Sequence, residues 1–143
     1  MRCEDIMKRD VECCGKEDPI QDVAVRMRDR NIGFVPVCDP GGRVLGVVTD
    51  RDIAVRVVAE ARDPSTPVGQ IMSTDEVVSC RPDDDLARAQ QQMGQRRKSR
   101  LLVIADDGTL RGVISLSDIA QYETPSVAGD TMRQVTDRES RIQ

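Results

Sequence analysis

Two tetrapeptides, Thr49-Asp50-Arg51-Asp52 and Ser115-Leu116-Ser117-Asp118, set a hydroxyl and a carboxylate three residues apart. At the first turn of a helix this spacing points both side chains toward one spot above the preceding strand. A carboxylate there accepts from both hydroxyls of a ribose, and the neighbouring hydroxyl donates or accepts. The N–H groups of a helix start also favour a nearby phosphate. The same spacing is equally an ordinary capping pattern, in which Thr49 and Ser115 merely begin their helices. Other chemistry is scarce. The chain has no histidine, which removes His acid–base catalysis, Ser–His and Cys–His nucleophile pairs, and His–metal ligation. Cys3, Cys13, Cys14, Cys38 and Cys80 are odd in number and lack C-x-x-C spacing, a poor basis for a disulfide framework or a zinc site. Cys38 reads as a small buried hydrophobe. Cys13 and Cys14 read as structural rather than redox-active, because adjacent cysteines rarely close an unstrained bridge. An enzyme would have to use Asp52 or Asp118 as a base, or Cys13 as a nucleophile. Neither a glycine-rich phosphate loop nor a catalytic carboxylate pair orients them, so no enzymatic activity is expected.

The elements that must position the two tetrapeptides come from an internal repeat. Sliding the chain by 66 positions lays Gly42 to Ala54 on Gly108 to Ala120 without a gap. The same shift superposes Val37 on Val103, Met27 on Met93 and Cys14 on Cys80, whereas a shift of 65 aligns Ile6-Met7 with Ile71-Met72. Each copy reads strand, helix, strand, strand, helix. In the first, Val11-Glu12-Cys13 is a short strand. Asp18 is placed as N-cap with Pro19 at the first helical position, and Ile20, Val23, Ala24 and Met27 form a buried stripe. Phe34 to Cys38 and Val44 to Val48 make a hairpin across Asp39-Pro40-Gly41-Gly42, and Thr49 caps a helix carrying Ile53, Ala54, Val57 and Val58. The second copy runs Val77 to Cys80, Leu86 to Arg97, Leu101 to Ile104, Leu110 to Ile114 and Leu116 to Tyr122. The expected domains are 1–63 and 68–122, joined by a 64–67 linker. Residues 123–143 form a polar tail, either mobile or opening a surface helix at Met132 and Val135.

Composition narrows the class. The 143 residues are 38% hydrophobic and 32% charged, within the range of globular proteins. Phe34 and Tyr122 are the only aromatics, so the core must be aliphatic. No apolar run approaches the roughly 20 residues that span a bilayer, and the N-terminal stretch carries acids and no secretory signal. The protein is expected to be cytoplasmic, without a membrane partner. A net charge of −4 and the lack of a base-stacking platform argue against nucleic acid.

The doubled pattern resembles the cystathionine-β-synthase (CBS) domain family. The resemblance is carried by Val35-Pro36-Val37-Cys38-Asp39 with Gly46-Val47-Val48-Thr49-Asp50-Arg51-Asp52-Ile53, and by Gly112-Val113-Ile114-Ser115-Leu116-Ser117-Asp118-Ile119. A D-I-M or Q-I-M element leads into each copy, and Leu102 departs from the family by replacing its proline. The resemblance spans residues 1–122 and implies an α/β (α+β) fold. Two β-α-β-β-α motifs pack about a pseudo-two-fold axis, leaving two clefts. It also implies that each cleft holds an adenosyl ligand such as AMP, ADP, ATP or S-adenosylmethionine, that no other cofactor is required, and that two chains associate as a homodimer. By the family pattern the first cleft uses Thr49, Arg51 and Asp52 with Ser73, Val78, Ser99 and Arg100. The second uses Ser115 and Asp118 with Met7, Glu12, Ile32 and Gly33.

Arg100, with Lys98 and Arg51 near it, would neutralise phosphate in the first cleft. A phosphorylated nucleotide is therefore expected to prefer that cleft, and a less anionic ligand the second. Regulation needs a recipient, and the 143 residues carry no catalytic, channel or DNA-binding domain, so the signal is expected to reach a separate, unidentified protein partner. The alternative is a nucleotide-free CBS scaffold for protein–protein interaction.

Overall fold

The computed structural model describes residues 1–75, 77–122 and 131–136. Residues 123–130 and 137–143 of the expected polar tail lie outside the described residues. The chain forms two compact units, Glu12–Val77 and Met1–Val11 with Val78–Gln143. Packing units and sequence copies thus differ, because each copy's lead-in segment packs with the other copy.

In the Glu12–Val77 unit, helix α2 (Ile20–Arg30) follows the short α1 of the other unit (Cys3–Ile6). The N-cap of α2 is Pro19 and makes no side-chain cap. Asp18 does not cap α2, because its carboxylate accepts from Gly15 N at 3.0 Å and faces Arg26 at 3.6 Å. Asn31 ends α2 in the left-handed region. Strands β1 (Phe34–Cys38) and β2 (Val44–Thr49) pair antiparallel, Phe34 opposite Thr49. Gly42, at φ +85°, makes the turn that an L side chain would strain. The expected strand Val11–Cys13 is not among the strands, and next to it Cys14 forms an isolated parallel bridge to Val37. The lead-in segment of the second copy adds Ser73 to the other edge, bridged to Val47. Helix α3 (Asp50–Ile53) continues as a π-helical turn over Ala54–Val58. Val57 is buried, but Val55 and Val58 are exposed, Val58 at 73%. Ile20, Val23, Val35, Val37, Val48, Val68 and Ile71 fill an aliphatic core.

The other unit repeats this plan. Strand β3 (Ser79–Cys80) runs parallel to β4 (Arg100–Ile104), which pairs antiparallel with β5 (Leu110–Ser115). Helix α4 (Leu86–Arg96) is capped by Asp85, whose carboxylate accepts from Ala87 N at 3.1 Å. Lys8 bridges to Val113 at the β5 edge. Cys3, Ile6 and Met7 join Leu86, Met93, Leu101, Val103, Ile114 and Ile119 in the core. Helix α5 (Leu116–Tyr122) follows β5 directly. Residues 131–136 are helical. Met132 there is 52% exposed and Val135 3% exposed, so Val135 lies on the inner face of a helix whose other side is exposed. A Cβ at Gly94 of α4 would collide with the Gln134 amide, which places this last helix against α4.

Candidate functional site

At the end of β2 both halves of a capping box form. Thr49 Oγ1 accepts from Asp52 N at 3.1 Å, and Asp52 Oδ2 accepts from Thr49 N at 2.9 Å. The capping role is therefore real, and it consumes only one carboxylate oxygen. The other, Asp52 Oδ1, lies 3.5 Å from the Ser73 hydroxyl and 3.8 Å from Arg56 Nε. Arg56 also donates from a terminal nitrogen to the Ile71 carbonyl at 3.2 Å. On the opposite side, Asp50 N donates to Gly33 O at 3.0 Å, and a Cβ on Gly33 would strike the Asp50 carboxylate at 2.7 Å. Arg51 is exposed on the same helical turn. Glu12 faces Arg30 at 3.8 Å, and Ile32 packs against the core.

The arrangement recurs in the second unit. Ser115 Oγ accepts from Asp118 N at 3.2 Å, and Asp118 Oδ2 accepts from Ser115 N at 2.9 Å. Ser117 Oγ lies 2.8 Å from Ser115 Oγ. Asp118 Oδ1 faces Lys8 Nζ at 3.6 Å. Met7, beside Lys8, is buried in the core. Ser99 O accepts from Leu116 N at 3.0 Å, and Arg100, exposed at the start of β4, pairs in register with Ser115. Val78 is 9% exposed within the same core.

The structure thus brings Ser73 to Asp52, and places Met7 in the core of the unit that holds Ser115 and Asp118. Val78, Ser99 and Arg100, assigned with Thr49, belong to the Ser115 unit. Glu12, Ile32 and Gly33, assigned with Ser115, belong to the Thr49 unit. Sequence reasoning missed the two cations at the carboxylates. Lys8 was detectable, because the shift that lays Ile6-Met7 on Ile71-Met72 also lays Lys8 on Ser73. Arg56 stands four residues after Asp52, an ordinary helical ion-pair spacing.

Two capped carboxylates, each meeting the lead-in segment of the opposite copy, form one design used twice. The CBS domain matches residues 3–59 and again 68–124. The chain belongs to the CBS domain family. Its relatives include the CBS domain-containing protein YhcV of Bacillus subtilis, 39% identical over 117 residues, which span 82% of this chain and 81% of that one. Among solved CBS structures, Hypoxic Response Protein I, determined with two coordinated zinc ions, has a TM-score of 0.77 at 27% identity. It covers 87% of this chain and 100% of its own. The CBS domain pair of protein MJ0100, in complex with 5′-methylthioadenosine and S-adenosylmethionine, has a TM-score of 0.73. At 21% identity, over 85% of this chain and 94% of that one, it establishes likeness of fold. Among the described residues of this CBS protein, no three His, Cys, Asp or Glu side chains are grouped to hold a metal ion, and no helix is long and apolar enough to cross a membrane.

Proposed function

We propose that this CBS pair is a regulatory, non-catalytic module that binds an adenosyl ligand, of the AMP, ADP, ATP or S-adenosylmethionine class, and passes its occupancy to a separate protein. The observation that carries this reading is the division of labour in Asp52 and Asp118. In each, Oδ2 closes the helix cap while Oδ1 meets other polar groups, Ser73 at Asp52 and Lys8 at Asp118. A ribose diol donates hydrogen bonds to such an oxygen, and a carboxylate acceptor strengthens them. Each carboxylate side chain is mostly buried, 16% exposed at Asp52 and 9% at Asp118, so water competes poorly for it. Thr49 and Ser115 supply the neighbouring hydroxyls, and Ser73 a further one at Asp52. Binding can signal only through different affinities for two arrangements of the module.

Calorimetric titration with AMP, ATP and S-adenosylmethionine tests this. Wild type is expected to bind at least one of them in the micromolar range. Asp52→Asn and Asp118→Asn keep an acceptor for the cap and remove the charge, so each is expected to weaken binding at its own site by about tenfold or more. Thermal unfolding of the same variants should change little. A well-folded chain that binds none of the three ligands would leave a nucleotide-free scaffold as the function.

A further inference from the structure

The two carboxylates meet their cations from different directions. At Asp52 the cation is Arg56, whose guanidinium is tied at two points, 3.8 Å from Oδ1 and 3.2 Å from the Ile71 carbonyl. The Ser73 hydroxyl stands on the lead-in side of the same oxygen. In the second copy the repeat places Tyr122 where Arg56 stood and Lys8 where Ser73 stood. The Lys8 backbone is held firmly, its N donating to Val113 O at 2.9 Å and its O accepting from Val113 N at 3.0 Å. Its side chain is 70% exposed, and Nζ is 3.6 Å from an Asp118 side chain that is 9% exposed.

A loose pair with one exposed partner is worth about 0–1 kcal/mol, and an ammonium on a flexible stem moves easily where a bidentate guanidinium does not. A ribose hydroxyl donating to Asp118 Oδ1 therefore displaces Lys8 at little cost. The displaced ammonium stays at the rim of the same site, because its backbone does not move, and it has lost its counter-charge. A ligand that carries its own anion restores the pair, whereas an uncharged ligand leaves it broken. At Asp52 the exchange differs, since Ser73 brings no charge and Arg56 keeps its bond to Ile71.

We propose that Lys8 is a specificity-determining residue, through which the Asp118 site selects a phosphorylated adenosyl ligand over an uncharged one. This rests on the adenosyl-binding reading, adds the ligand's charge to it, and reverses the expectation that the second cleft takes the less anionic ligand, because Lys8 stands at Asp118 itself. The test uses the full chain with Asp52→Ala, which removes the ribose acceptor of the other site, and titrates AMP and adenosine by calorimetry. AMP is expected to bind about tenfold tighter than adenosine or better, the scale of one charge-assisted contact. Adding Lys8→Ser, the residue found at the matching position of the other copy, should bring AMP down to the affinity of adenosine. Adenosine itself should stay within about threefold, which also shows that the variant is folded. Lys8→Arg should keep the preference, and added salt should weaken AMP but not adenosine. An AMP-to-adenosine ratio unchanged by Lys8→Ser overturns the proposal and leaves adenosyl binding intact. Loss of both probes in Asp52→Ala, when wild type binds both, also overturns the proposal alone. Binding of neither probe by wild type overturns the adenosyl reading and this proposal with it.

Discussion

A side chain that closes a cap with one oxygen and faces a cation with the other shows what local pattern can and cannot reveal. The hydroxyl-x-x-carboxylate spacing at Thr49 and Ser115 is local, so both motifs were legible from sequence. Lys8 is brought to Asp118 by pairing across nearly the whole chain, and the one sign of it in the sequence is the repeat that lays Lys8 on Ser73. The thiols follow the same division. All five cysteines are free. Cys38 is half-buried beside the Cys13 thiol rather than sealed in the core, and burial with that neighbour pushes it up to about 12. Cys14, 5% exposed, is pushed up to about 11 by burial first and by the Asp18 carboxylate second. Cys80 is pushed up by its shared proton with Cys3 and by burial. Raised in this way, the Cys14, Cys38 and Cys80 thiols are protonated near neutral pH and pack as small fillers. The sign of the linkage follows. The folded state holds the Cys14 proton more tightly than the unfolded chain, whose thiol titrates near 9.0. The associated stability is complete below pH 9 and is lost as pH rises from there to about 11. The slope within that window approaches about 1.4 kcal/mol per pH unit. Urea midpoints of wild type and Cys14→Ala across that window provide the measurement. The wild-type advantage should narrow, and parallel curves would show that Cys14 does not carry the effect.

Among the elements, the hairpins were readable because each carries its own turn chemistry, with Gly42 and Gly108 at φ +85° and +88°, and the long helices because their apolar residues recur at helical spacing. The strand expected at Val11–Cys13 was misread because the bridge to β1 falls one residue later, at Cys14, and is isolated rather than part of a ladder. The lead-in segments were under-read. Each lies on a sheet edge over a glycine, where a Cβ would strike backbone. Gly112 would strike Lys8 O at 2.7 Å, and Gly46 would strike Ser73 O at 2.8 Å. These glycines let the segment that carries Lys8 or Ser73 approach its carboxylate. Gly112→Ala and Gly46→Ala should each cost about 1–3 kcal/mol in urea unfolding, the usual scale of overpacking, and should weaken ligand binding at the same site. Gly41→Ala is the control. Its Cβ meets only the Asp39 side chain at 3.4 Å, and it should change stability by less than about 0.5 kcal/mol. Equal effects at Gly41 and Gly112 would mean that chain flexibility, not close approach, governs these positions.

For the molecule as a whole, sequence copy and folding unit part company, and this has energetic consequences that a repeat alignment hides. Ile6 belongs to the first copy by sequence but is 7% exposed in the core of Leu86, Leu101 and Ile114. Ile71 belongs to the second copy and is 1% exposed in the core of Val35, Val37 and Val48. Truncating a buried isoleucine to alanine costs about 2–5 kcal/mol, and that cost falls first on the cooperative unit whose core is opened. Hydrogen exchange read segment by segment therefore gives a crossed pattern. Ile6→Ala should lower protection in α4, β4 and β5 and spare β1 and β2. Ile71→Ala should lower it in α2, β1 and β2 and spare β4 and β5. Loss that follows the sequence copies would contradict the exchange of lead-in segments. Loss spread evenly over both units in both variants would show that they open only together. The crossed pattern would carry a functional implication, because the lead-in segment that stabilises each sheet is also the one that reaches its carboxylate. Ligand held at Asp118 would then protect the Lys8 segment together with β5, and ligand held at Asp52 the Ser73 segment together with β2. Site occupancy would thus be read as the stability of one unit at a time.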